Sequence, residues 1–500
     1  MRKLISVMLA LVLTVLTPGA YAQAGYTVAG FDPEDAGHDW TTSLFFQRME
    51  ERTGVQLELT QYQTKEAWQT AKDDMLAGDL ALPDALLKAE LTPQETQTWL
   101  EQGKLIDLAP YLPQYAPNLW ALLQAHPDWL EAVTLPGGQI AALPAIDELQ
   151  FNNAMWINKA WLDKAKLAMP TTAEELENVL RVFREKDMNG NGKQDEIPLT
   201  FASMWDLRYL GHAFGLCAND YYVTMDDQGR VSEVLTSDAN RALLTWLNRL
   251  WTDGLLDELG FTGLRQVSLN REEDAPVIYG VLMAPSPVEL VSSKALMQYV
   301  LLEPMVYQGK QVYRDLTGDV IRGAFAITSA CKDPGTLLTW VDTLYTEEGF
   351  ILAEAGLEGE EYTWNEDGTW LWQATAETLT AVVLPEATIR SGGTMPGYVS
   401  VDFQQRIDDQ ATQHVVKSLL QLKAIDRLPV PQVYLTPEQQ SRMDALIWDI
   451  GKYAEQQMVW FVTGDVQLTD ESWADFCGQV KALGMDELVS IWQTACDEQK

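Results

Sequence analysis

Apolar and polar positions alternate along this chain with two different periods, and the switching between them predicts the elements. Residues 26–31 form an apolar run read as a strand, followed by a polar loop holding His38, Asp39 and Trp40. A helix through Phe45, Phe46 and Met49 is closed by Gly54, and the period-two alternation of 55–59 predicts a second strand. This is a β-α-β opening. Residues 65–76 predict another helix, and 78–84 turn into a short apolar strand ending at Leu87. Thr92-Pro93-Gln94-Glu95 is a capping box with proline in the first turn, and the device recurs at 170–175 and 436–439. The helices that follow carry Leu176, Val179, Leu180 and Phe183 on one face, and Met443, Leu446, Ile447, Ile450 and Tyr453 on another. Between them lie a turn at 135–144, an extended stretch at 149–157 and a helix at 238–251 closed by Gly254. Buried strands are expected at 277–283 and 323–328, and a helix at 334–345. Strands alternating with helices predict an α/β fold.

At 500 residues the chain exceeds what one hydrophobic core supports, so two or more lobes are expected. Met1-Arg2-Lys3, the apolar run 4–16 and Ala20-Tyr21-Ala22 read as a signal peptide over 1–22, with a mature chain beginning at Gln23. No cysteine stands at the cleavage region, so lipidation there is not expected, and nothing downstream reads as membrane-spanning. The expectation is an exported protein, periplasmic or released, with no membrane insertion. Lys plus Arg total 35 against 72 Asp plus Glu, a formal charge of −37 that argues against nucleic acid or an anionic membrane surface as partner. The four cysteines are too few for a disulfide scaffold, although Cys477 and Cys496 lie in neighbouring helical segments that could be bridged.

The segment 187–196 reads as a calcium loop. Ca²⁺ takes oxygen ligands supplied at alternating positions around a turn that glycine permits. Asp187, Asn189 and Asn191 alternate, Gly192 stands at the turn, Lys193 offers its carbonyl, and Asp195 and Glu196 complete the set. The twelfth position, where an EF-hand places its bidentate glutamate, is Pro198. The loop therefore joins a helix to a strand and acts as a structural staple. The alternative is a solvated Asn/Gly turn without metal.

Several blocks in order then resemble the family 1 extracellular solute-binding proteins of ABC importers, the maltodextrin-binding type, and within it the calcium-loop branch that includes alginate-oligosaccharide binders. The blocks are 49–55, 76–80 with Pro83-Asp84, 103–108 with 116–118, and 161–164, followed by the loop 187–198, 323–328 and 346–349. The resemblance implies two α/β lobes with ligand in the cleft between them: 23–148 plus 298–345, and 149–297 plus 346–500. It also implies Ca²⁺ held by Asp187, Asn189, Asn191, the Lys193 carbonyl, Asp195 and Glu196.

A sugar cleft needs flat apolar platforms beside polar groups, and 18 Trp with 17 Tyr is a rich supply. Asp39 and Trp40 stand after the first strand, at the carboxyl edge where an α/β lobe presents ligand. Trp205, Asp206 and Arg208 occupy the matching place in the second lobe. Glu148 lies at the first expected crossing, Met283 and Ser286 flank the end of the strand that the family uses for its cleft floor, and Tyr398 follows a Gly-Gly turn. The expected function is capture of an oligosaccharide for an ABC permease, by a monomer that is not an enzyme. The alternatives are another small solute or peptide as ligand, or a secreted carbohydrate-active enzyme. No G-x-S-x-G, H-E-x-x-H or P-loop motif occurs, and the four histidines are dispersed.

Overall fold

The computed structural model describes residues 25–262, 276–316, 318–373 and 385–498, so the expected signal peptide lies outside the described residues. Two sheets organise the chain. The first has the strands β1 (Tyr26–Phe31), β2 (Leu57–Tyr62), β3 (Ala85–Leu87) and β4 (Leu143–Ile146). The second contains β5 (Ala154–Asn158), β6 (Ile197–Thr200), β7 (Tyr279–Ala284) and β8 (Tyr299–Leu301). Two later strands, β9 (Val320–Ile327) and β10 (Gly397–Tyr398), return to the first sheet. Its order is β10-β4-β9-β3-β1-β2, while the second runs β8-β5-β7-β6.

In the first sheet only β9 runs against its neighbours. The carboxyl ends of β1, β3 and β4 therefore lie along one edge, which Asp32, Lys88 and Asp147 enter next. Successive side chains in a strand point to opposite faces, and the core obeys that period. Val28, Ala85, Leu87, Phe325 and Ile327 enter one apolar cluster, whereas Ala29, Phe31, Leu86 and Ala326 enter another. Helices cover both faces. In the second lobe the helix Ala173–Glu185 buries Leu176, Val179, Leu180 and Phe183 against its sheet, as the sequence pattern predicts.

The expected lobe boundaries shift. β8 pairs with β5, so the chain is still in the second lobe at Leu301, beyond the crossing expected at 298. Likewise, the return expected at 346 falls after Tyr398, because Leu352, Ala353, Ile389 and Met395 belong to the first lobe's core and β10 pairs with β4. Local patterning marks strands but not their hydrogen-bonding partners, which decide lobe membership. The helix Gln410–Leu419 leads into a segment joining the second lobe's core, and Tyr434 then touches the first lobe beneath the Arg322 guanidinium, 4.6 Å away. None of the four cysteines is in a disulfide, so Cys477 and Cys496 are not bridged. Among the described residues no helix is long and apolar enough to cross a membrane.

Candidate functional site

The first lobe's edge is built around a buried carboxylate. Asp32 directly follows β1 and is fully buried, a position that costs several kcal/mol unless the charge is paired. Its Oδ2 accepts from Lys88 Nζ at 2.9 Å and Trp40 Nε1 at 2.8 Å, and lies 2.9 Å from His38 Nδ1. Burial opposes the charge on Asp32, but these partners hold its carboxyl below the usual range. Lys88 is pushed down to about 8 because its burial outweighs the attraction of Asp32. It directly follows β3 with φ 49°, and its ammonium also donates to the Ser391 carbonyl at 2.7 Å.

Trp40 is consequently a core residue. At 1% exposure, packed 5.6 Å from the Phe46 ring, it offers no face to a ligand. Asp39 stays exposed, but its Oδ1 accepts from the backbone and hydroxyl of Thr41 and shapes its own loop. Glu148 and Tyr398, distant in sequence, do meet: pairing of β10 with β4 sets the Tyr398 hydroxyl 2.8 Å from Glu148 Oε2.

On the second lobe, β6 leads to the short helix Met204–Leu207 and a 3-10 turn, Arg208–Phe214. Trp205 and Arg208 converge there on Asp220. Its Oδ1 accepts from Trp205 Nε1 at 2.9 Å, Arg208 Nη2 at 3.3 Å and Arg314 Nη2 at 2.6 Å. Arg314 also donates from Nε to the Ala218 carbonyl, and its guanidinium lies 5.8 Å from the Trp205 ring centre and 5.1 Å from that of Tyr209. Asp206 turns inward, accepting from Asn153 Nδ2 at 2.7 Å and the Ala202 N–H at 2.6 Å, so it positions the loop. Met283 is sealed in the core at 2% exposure because β7 is the inner partner of both β5 and β6. Ser286 caps a short 3-10 turn, accepting from the Val288 N–H.

Asp32, Lys88, Asp220 and Arg314 were missed by sequence reasoning. The first two stand immediately after strands and were open to the same argument as Trp40. No local signal marks Arg314, which comes from the connection leading back to the first lobe.

The loop 187–196 winds around its own oxygens. Asp187 accepts from the N–H groups of Gly190 and Gly192 at 2.7 and 3.0 Å. Asn189 and Asn191 each accept from the N–H two residues on, and both amides donate to Asp195, which lowers the Asp195 carboxyl. Gly190 and Gly192 both adopt φ +76°, a left-handed turn that glycine enters without penalty. Glu196 is buried; its Oε1 accepts from Met188 N–H at 2.6 Å while Oε2 has no partner. A carboxylate oxygen orphaned beside hard oxygen donors fits Ca²⁺ chemistry. Among the described residues, no group of three or more His, Cys, Asp or Glu is arranged to hold a metal ion.

No family model matches the chain. The fructooligosaccharide ABC transporter substrate-binding protein FusA of Streptococcus pneumoniae is 25% identical over 490 residues, covering 92% of this chain and 88% of FusA. A human-milk-oligosaccharide-binding solute-binding protein of Bifidobacterium longum infantis superposes with TM-score 0.77 over 95% of this chain and 98% of its own, at 22% identity. The fold is that of ABC-transporter solute-binding proteins. Within that solute-binding fold, FusA solved as an EF-hand mutant with fructo-nystose gives TM-score 0.69 at 22% identity over 95% and 99% of the two chains. The alginate-binding protein AlgQ2, solved without calcium, gives 0.64 at 17% over 96% and 100%.

Proposed function

We propose that the chain captures an oligosaccharide outside the cytoplasmic membrane and delivers it to an ABC permease. The observation that carries this reading is the relationship to FusA along nearly the whole chain, with an aromatic and carboxylate cluster on the second lobe to receive a sugar. Trp205 supplies an apolar ring edge, Asp220 an acceptor, and the Glu148–Tyr398 pair a further acceptor beside the crossing. Binding closes the lobes only through contacts that are better in the closed state, so both lobes contribute. The basic and apolar start of the sequence supports export.

Calcium is part of the same proposal. Asp187, Asn189, Asn191, the Lys193 carbonyl, Asp195 and Glu196 would hold it, with Lys164 Nζ capping the Asp187 and Met188 carbonyls at the loop's start. The ion would tie the helix Ala173–Glu185 to β6, a structural role distant from the chemistry of binding.

One observation favours testing hydrolysis as a second reading. Ser391 Oγ lies 3.1 Å from His38 Nε2, whose Nδ1 lies 2.9 Å from Asp32. The Lys88 ammonium shares that Asp32 oxygen, however, and opposes formation of an imidazolium beside it.

The deciding experiment is a thermal-shift screen of the purified protein, in calcium, against defined oligosaccharides, with every hit confirmed by tryptophan fluorescence and the sugar recovered. Stabilisation with the sugar intact is the expected result. Cleavage of the sugar would replace the transport reading with that of a carbohydrate-active enzyme, and loss of an ester group from an acylated sugar would assign the cleavage to Ser391 and His38.

A further inference from the structure

Asp220 has an arrangement unusual for an exposed carboxylate. Its side chain is 52% exposed, yet three donors from three side chains meet on a single oxygen, Oδ1. Two of the three come from guanidinium groups, which are held in turn by the Ala218 carbonyl and by a Tyr222 ring 4.7 Å from Arg208. Among the described residues Asp220 Oδ2 accepts nothing. The carboxylate is thus locked in orientation, with its free oxygen outward beside the half-buried Trp205.

The two arginines do not present their remaining charge alongside it. Arg314 is 2% exposed, and Arg208 Nε, Arg208 Nη1 and Arg314 Nη1 are buried without partners. Both arginines line a small cavity together with Tyr222, Asn240 and Met458. Glu455, 3.7 Å from Arg208, offsets the second guanidinium charge. What this edge shows a ligand is therefore a fixed anionic acceptor beside an indole, with its cations turned inward.

We infer that Asp220 sets the charge class of the ligand: this half of the site takes the hydroxyl donors of a neutral saccharide and turns away a uronide carboxylate. The inference rests on the oligosaccharide reading above and narrows it. A hydroxyl donating to a carboxylate gains a charge-assisted hydrogen bond, whereas a ligand carboxylate at the same place meets a like charge and has nothing to donate. The chain's formal charge of −37 acts in the same direction at longer range.

The test uses Asp220→Asn in the full chain. Asparagine keeps an oxygen for the three inward donors, and those donors fix the amide's orientation, so the outward oxygen alone becomes an NH₂ group. Kestose, nystose, maltotriose and mannotriose are titrated against trigalacturonate and trimannuronate, by calorimetry, on the wild type and on D220N, with a melting curve for each protein. We expect the wild type to favour a neutral sugar at least about tenfold, and D220N to narrow that preference roughly tenfold, the effect of one charge on one hydrogen bond. A wild type that prefers a uronide overturns the inference. So does a D220N protein whose neutral and uronide affinities both stay within about twofold of the wild type, and that result leaves the oligosaccharide reading standing. If the folded wild type binds no saccharide, the oligosaccharide reading fails first and the inference falls with it.

Discussion

Trp40 and Trp205 each give an indole N–H to an aspartate that gathers three donors, yet one is sealed in a core and the other is half exposed. Both stood out in the sequence for the same reason, a tryptophan among polar residues after a strand. What separates them is non-local: Phe46 from the following helix packs on Trp40, which is sealed, while Trp205 packs at the margin of the second lobe's core, beside Tyr209 and with Arg314 over its ring, and stays half exposed. The turn at 187–196 was the most legible stretch, because its shape is set locally by the Asp/Asn spacing and by two glycines with φ +76°. The calcium proposal predicts a melting temperature that rises with the logarithm of free Ca²⁺ above the Kd and an increment that Glu196→Gln abolishes; calorimetry in calcium and in chelator checks both. A different residue controls acid stability. His212 is fully buried, its ring nitrogens unpartnered, and burial with help from Arg314 pushes its pKa down to about 3 from 6.5. The unfolded chain binds a proton there that the folded chain refuses, so the full stability seen above pH 6.5 declines as pH falls toward 3. Between pH 7 and 4.5 this group costs about 2 kcal/mol, and His212→Leu should flatten that part of the urea-midpoint profile.

Helices were the part of the fold that local sequence specified best. Of the three capping boxes with proline expected, those at Thr92 and Thr436 form, because each satisfies orphan N–H groups within four residues, whereas at 170–175 Thr172 caps the Glu175 N–H but Glu175 turns back to Thr171 and Pro170 stays ahead of the helix. Thr436→Ala should destabilise the helix Pro437–Thr463 by about 1 kcal/mol, measurable as a shift in urea midpoint. Strand limits were less legible. β9 begins at Val320, three residues ahead of the expected Gly323, and the register with β4 shifts between Ile321 and Phe325. Gly323 makes that irregularity possible: it has φ +76°, and a Cβ there would come within 2.0 Å of the Leu91 carbonyl oxygen. Gly323→Ala is expected to cost more than about 2 kcal/mol, through both the left-handed backbone and the clash, and to lower the urea midpoint.

At the scale of the molecule, the two-lobe architecture followed from length and from the family resemblance, whereas the crossings did not, since they depend on which distant strands pair. The ligand-closure proposal belongs here: scattering from the protein with a tightly bound sugar should give a smaller radius of gyration than without it, and superimposable profiles would remove closure from the account. The order of the first sheet has a further effect, on timing. β9 lies between β3 and β4, yet it is synthesised more than 170 residues after β4. Until it arrives, β3 and β4 have no shared neighbour and the sheet is split down its middle. Such long-range pairing is slow to form. A growing chain of this design cannot complete its first sheet until Ile327 has been made, whereas every strand of the second sheet is already present by Leu301, so the lobe that begins first is the one that closes last.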